Sequence, residues 1–282
     1  MRRGLLVAAC SAWSLACGSP GDSTAVDAGG DATTDSASTS DAPFDAPLAD
    51  QNAPDACKSC DAGGPGTPPY GGSSGGSGGA APVNGASEQA GGISYFLIVP
   101  ASPSVPSPLL LVYSGTEGGA TMTSNLSQVG SLTGTSGFIR AVLDGVVYNG
   151  NASAGATVLD DVRAKYDIDN DRTYLLSESA GTSAGLALGF TLRQSYFAAY
   201  WVNDINTSAS PSENASQLGF APWGQVGPGG DFTDANAVVA AMQAAGYRLP
   251  NPAPYNGTGA GTHGDPNQFI AAVKFFPGKT RK

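Results

Sequence analysis

Thr173-Tyr174-Leu175-Leu176-Ser177-Glu178-Ser179-Ala180-Gly181 is the stretch on which the reading of this chain turns. Its first four residues form a β-prone apolar run, and residues 180–193 carry a helical pattern, so strand gives way to helix at Ser179. A serine on so sharp a turn is pushed out at the edge of a sheet, where its hydroxyl can react. The letters G-x-S-x-G choose Ser183 instead, in Gly181-Thr182-Ser183-Ala184-Gly185, but Ser183 would lie one turn inside the helix. Those letters carry little weight in a chain with 40 glycines, and Gly71-Gly72-Ser73-Ser74-Gly75 matches them too. Position therefore favours Ser179.

Outward from this turn, short β-rich runs alternate with helical patterns. Residues 94–99, 109–113, 138–143, 173–176 and 197–202 read as strands, and 154–166, 180–193, 235–245 and 267–276 as helices. Asp234 suits the N-cap of the third helix and Gly246 its C-terminal stop. The alternation predicts an α/β domain with a mostly parallel twisted sheet covered by helices on both faces, reactive groups collecting at the C-terminal edge of the strands. The connections are short, so no large lid domain is expected. His263, in Gly261-Thr262-His263-Gly264-Asp265, is the single histidine of the 282 residues and the side chain best suited to proton transfer near neutral pH.

Tyr166-Asp167-Ile168-Asp169-Asn170-Asp171-Arg172-Thr173-Tyr174, running into Ser179-Ala180-Gly181, resembles the segment before the nucleophile in serine esterases of the polyhydroxybutyrate-depolymerase and feruloyl-esterase type, within the α/β-hydrolase superfamily. That family places its serine seven residues after the arginine, which again selects Ser179. The resemblance extends over roughly residues 95–276 and implies a serine esterase with Ser179 as nucleophile, His263 as base and an acid between them in the chain. Asp231, in Gly229-Gly230-Asp231 before a helix ending in Gly246, matches the family's turn best; Asp204 and Asp234 remain rivals. The oxyanion donors implied are the backbone N–H groups of Ala180 and Thr116.

The chain departs from the family at three places. Ser114 stands where a histidine is common before Gly115, Ser177 replaces the first glycine of the serine turn, and the strand expected before Asp231, 220–226, contains Pro222 and Gly224. Glu178, beside the nucleophile, is read either as a solvated side chain or as one repelling acidic substrates. Trp201, Trp223, Phe232, Tyr247 and Tyr255 could offer an aromatic platform to a substrate or belong to the core.

The N-terminal part has a different logic. Arg2 and Arg3 precede an apolar stretch too short to span a bilayer, and residues 1–17 read as an export signal. Cys17 resembles the lipidated cysteine of bacterial lipoproteins, with Cys10 as the alternative; this implies an exported protein held by its N-terminus at the outer membrane or cell surface. Residues 18–92 are Asp, Ala, Ser, Thr, Pro and Gly with little to bury, and read as a disordered acidic tether. Cys57-Lys58-Ser59-Cys60 in it is read as incidental or locally bridged. The tether holds most of the formal charge of −10, leaving the 93–282 domain with thirteen acidic and ten basic residues. Without a basic patch, nucleic-acid binding is disfavoured, and one histidine with no domain cysteine implies neither metal nor cofactor.

The expected activity is hydrolysis of polymer-attached or bulky carboxylic esters through a Ser-His-Asp acyl-enzyme mechanism. An inactive hydrolase fold used as a surface binding module, and a serine peptidase of the same fold, are the alternatives. A separation above about 6 Å between Ser179 and the His263 ring would exclude the catalytic reading.

Overall fold

The computed structural model describes residues 67–80, 82–83, 86–228, 232–260 and 262–282. Cys10, Cys17, Cys57, Cys60 and Asp231 lie outside the described residues. Seven strands form one sheet: β1 (Ser87–Ala90), β2 (Ile93–Ile98), β3 (Ser107–Tyr113), β4 (Ile139–Leu143), β5 (Ile168–Glu178), β6 (Ala199–Asn203) and β7 (Trp223–Val226). Their order is β1-β2-β4-β3-β5-β6-β7. The β1-β2 hairpin is antiparallel and β2 meets β4 antiparallel, whereas β3 to β7 all run parallel. Leu109 to Tyr113 are 0% exposed, which is why β3 reads as an unbroken apolar run: a parallel strand with both faces covered has no polar side.

The two faces separate by the period of two along each strand. On one, Leu110, Val112, Tyr174, Leu176 and Trp201 pack against α1 (Gly118–Thr133) and α6 (Pro266–Phe275). On the other, Leu109, Leu111, Leu175 and Val202 meet α2 (Ala152–Lys165), α3 (Thr182–Ala187) and α5 (Phe232–Ala244). A short α4 (Ala215–Leu218) precedes β7 and is held by a reciprocal cap between Asn214 and Gln217.

Several elements differ from the sequence reading. Helix α1 was not expected, because Gly, Ser and Thr dominate it, although Met122, Leu126 and Val129 mark a buried face at helical spacing. β5 begins at Ile168 rather than at Thr173, its polar first half being paired to Ser107 and bridged through Asp169 to Ser73. β7 forms despite its glycine and the preceding Pro222, as an edge strand on which Gly224 lies close against Met242. Asp234 is not an N-cap: α5 begins at Phe232 and Asp234 lies in its first turn. Gly246 does stop that helix, at φ 79°, with the Tyr247 N–H reaching back to the Met242 carbonyl at 3.0 Å.

The boundary placed at residue 93 also moves, since residues expected to be tether belong to the domain. β1 pairs with β2, and further upstream Ser74 N–H donates to the Ile168 carbonyl at 2.8 Å while Asn170 N–H donates to that of Gly72 at 3.1 Å. Arg281 fastens this strap. Its guanidinium is buried, pairs with Asp171 at 2.9 Å, donates to the Pro69 carbonyl at 3.1 Å and lies 4.8 Å from the centre of the Tyr70 ring. Backbone pairing thus supplies what the apolar-poor composition could not.

Candidate active site

Ser179 follows β5 directly and sits at φ 48°, a left-handed conformation rare for a residue with a side chain. The turn is possible because its neighbours are small. A methyl group on Gly181 would come 2.6 Å from the Ser114 carbonyl, and one on Gly185 2.6 Å from Ser177 Oγ and 2.9 Å from the Tyr200 hydroxyl. The helix following the serine is broken: a 3-10 turn, Ser179–Gly181, leads into α3, which ends in a π-helical turn, Leu188–Leu192. Thr182 Oγ1 at 2.8 Å and Asn206 Nδ2 at 3.0 Å both donate to the Ser179 carbonyl and fix the turn. Ser177, the departure in this motif, is fully buried with its hydroxyl 2.8 Å from that of Tyr200.

His263 reaches the serine from the loop before α6. Asp265 caps that helix, accepting from the N–H groups of Asn267 at 2.7 Å and Gln268 at 3.2 Å, and Pro266 opens it. Two residues earlier His263 is exposed, and its Nε2 lies 3.0 Å from Ser179 Oγ. This is hydrogen-bond distance between groups 84 residues apart in the chain. Ser183, which fits the letters G-x-S-x-G, lies within α3.

Asp204 is the described carboxyl group that meets the histidine loop. It ends β6 at φ 47°, is 1% exposed, and accepts from Gly264 N–H at 2.7 Å and from Gln268 Nε2 at 3.0 Å. Burial pushes its carboxyl above the ordinary range, while the Gly264 N–H and the His263 charge pull it back. Asp231 falls outside the described residues, and Asp234 lies in α5.

Of the two expected oxyanion donors, Ala180 lies in the 3-10 turn after the nucleophile. Thr116 is exposed on the loop after β3, whose Gly115 is the residue that approaches Ser179: a methyl there would come 3.2 Å from Ser179 Cβ. Ser114, the departure from the family pattern, is buried and accepts from Gly145 N–H at 3.0 Å, tying the loops after β3 and β4 together.

Carboxyl groups crowd the site. Glu117 Oε1 accepts from Gly115 N–H at 2.9 Å, and burial raises its carboxyl against the pull of that N–H and its own. Glu178 is not solvated: it is 8% exposed, its Oε2 has no hydrogen-bond partner among the described residues, and burial, with Glu117 and Asp204 adding to it, holds it well above the ordinary carboxylate range. Glu117, Asn206 and Gln268 were missed because each is a loop or helix-end residue whose role depends on what folds beside it. Trp201 and Tyr247 are core residues, 3% and 8% exposed, and offer no platform; Phe232 is 46% exposed at the start of α5. Among the described residues no group of three or more His, Cys, Asp and Glu is placed to hold a metal ion, and no helix is long and apolar enough to cross a membrane.

The strand order, the antiparallel start, the helices on both faces and a left-handed serine between the central strand and its helix are those of an α/β-hydrolase fold. No protein-family model matches the chain, and no curated protein does. Among solved structures it is similar to a thermostable esterase, at 14% identity over 67% of this chain and a TM-score of 0.49, spanning 59% of that protein's length. It is also similar to a dienelactone hydrolase-like promiscuous phosphotriesterase from metagenomic libraries, at 15% identity over 69% of this chain and 97% of that one, TM-score 0.48. A glucuronoyl esterase of Teredinibacter turnerae matches at 12% identity over 64% of this chain and 69% of that one, TM-score 0.42. No score among the three reaches 0.5, and the fold assignment stands on the sheet order and the serine turn.

Proposed function

We propose that this chain is an exported serine esterase that hydrolyses carboxylic esters through an acyl-Ser179 intermediate. The observation that carries the reading is the 3.0 Å approach of His263 Nε2 to Ser179 Oγ on a left-handed turn at the C-terminal end of the central strand. In this reading Ser179 Oγ attacks the ester carbonyl while His263 takes its proton. The N–H groups of Ala180 and Thr116 hold the oxygen that becomes negative. The alcohol then departs with the proton from His263, and the same ring activates water to release the acid and restore the serine. Asp231 orients the imidazole. Asp204 is the second reading for that role, favoured by its hydrogen bond to Gly264 beside the histidine.

Val146 and Val147 are 55% and 69% exposed on the loop after β4, and Phe232 is exposed at the start of α5, so large apolar side chains lie just beyond strands at the edge carrying Ser179. Such a rim suits bulky or polymer-attached esters. The N-terminal signal and lipidation at Cys17 would hold the enzyme at the outer membrane or cell surface, with the acidic segment as its leash.

A fluorophosphonate probe together with short p-nitrophenyl esters tests this. Labelling and turnover should vanish in Ser179→Ala, and turnover should fall by about 10³-fold or more in His263→Ala, with Ser183→Ala unaffected. Asp231→Asn losing far more activity than Asp204→Asn assigns the acid, and the reverse order transfers the role. Full labelling of Ser179→Ala would refute the nucleophile, and a folded protein that neither labels nor turns over esters would be a binding module.

A further inference from the structure

Glu117, Glu178 and Asp204 lie near enough to act on one another beside the Ser179 turn, and a fourth carboxyl group, Asp144, acts on Glu117. Glu117 wraps over Gly115: a methyl on that glycine would come 2.6 Å from Glu117 Oε2 and 3.2 Å from Ser179 Cβ, so the carboxylate and the nucleophile flank the same residue. Asp144 accepts from Gly119 N–H at 3.0 Å at the start of α1, beside the loop that carries Glu117. Asp204 holds the histidine loop, and Glu178, buried next to the serine in sequence, leaves an oxygen unpartnered. The ion pairs among the described residues all involve other aspartates, namely Asp160, Asp161, Asp169 and Asp171. Arg140, the nearest buried cation along β4, is turned to the Leu126 carbonyl at 2.7 Å. Among the described residues, the cation that acts on one of the four is His263, whose charge faces Asp204.

These groups are not equivalent. Glu178 is buried and Asp204 is engaged by Gly264 and Gln268, whereas Glu117 is half-buried on the loop whose Gly115 lies against Ser179. A fixed charge at the mouth of a site acts over several ångströms and weakens as added salt screens it. We propose that Glu117 is the charge-selecting residue of this site, which takes esters whose groups near the scissile carbonyl are cationic or uncharged and refuses anionic ones. The proposal rests on the esterase reading. It has a second consequence: every ester hydrolysis releases a carboxylate, and the same field drives that product out.

The test is a matched set of p-nitrophenyl esters of trimethylammoniobutanoic acid, its uncharged tert-butyl isostere, and glutaric acid with its second carboxylate free. The unsubstituted protein should show kcat/KM for the cationic and neutral esters exceeding that for the anionic one by roughly tenfold or more. Glu117→Gln keeps an acceptor for the Gly115 N–H and removes the charge. It should shrink the cationic-to-anionic ratio about tenfold and let glutarate inhibit more strongly. Raising the salt concentration should compress the ratio in the unsubstituted protein, a result that needs no variant to fold. An anionic ester cleaved as fast as its neutral partner, or a ratio unchanged in Glu117→Gln, overturns the proposal and leaves the esterase standing. If none of the three is cleaved faster than by Ser179→Ala, the esterase reading falls and takes the proposal with it.

Discussion

Ser179 and Asp204 are the two residues other than glycine held at positive φ among those described, and they bracket the place where His263 enters. Strained backbone of this kind costs of order 1–3 kcal/mol and persists where the surroundings over-determine it. Glu178 adds a cost of a different origin. Its folded carboxyl is raised above the ordinary value of about 4.3, so the folded state keeps a proton that the unfolded chain releases. Its contribution therefore falls as pH rises through the unfolded value, and the loss continues until the folded group itself ionises. Glu178→Gln should accordingly be more stable than the unsubstituted protein at pH 8 and gain less at pH 4, read from urea midpoints at the two pH values. An identical gain at both would mean that Glu178 ionises normally. At this scale the sequence pointed to Ser179 and His263, because a strand-to-helix turn and a lone histidine are local features. It could not point to Glu117 or to the contact of Asp204 with the histidine loop, since each depends on which loops the sheet brings side by side.

The elements follow the same division. β3, β4 and β6 are apolar runs whose burial on both faces writes them into the sequence, and their registers bring Tyr113, Ser177 and Val202 to one level just below the serine. α1 escaped the reading because helix propensity is weak in a Gly, Ser and Thr segment and tertiary packing of Met122, Leu126 and Val129 stabilises it instead. The first half of β5 escaped it because its partner, the Ser73 strap, is remote in sequence and polar. Helix α3 lies tight against the sheet, with Gly185 set against Ser177 and Tyr200. Gly185→Ala should lower stability by about 2–3 kcal/mol and reduce turnover, since the strand ending in the nucleophile must shift to admit a methyl group. Denaturant melts of the variant at equal slope would measure it, and a loss below about 0.5 kcal/mol would show that the turn has slack.

For the molecule as a whole, the domain begins earlier than its composition suggests. Residues 67–76 and β1 contribute backbone pairing and a ring against Arg281, contacts that a count of apolar residues does not register. A chain beginning at Ile93 should be less stable than one beginning at Thr67 by about 2 kcal/mol or more, because β2 loses one of its two neighbours and the buried Arg281 loses the Pro69 carbonyl. Equal urea midpoints for the two would return residues 67–92 to the tether.

The strap also fixes a direction. It joins the sheet at Asp169 and Asp171, near the start of β5, whereas Ser179 follows the strand's end, about 26 Å beyond Asp171 at 3.3 Å per residue. The chain thus enters the domain at the pole opposite the reactive serine. The strap therefore leaves the edge that carries Ser179 uncovered, and a bulky ligand can reach the serine without displacing it.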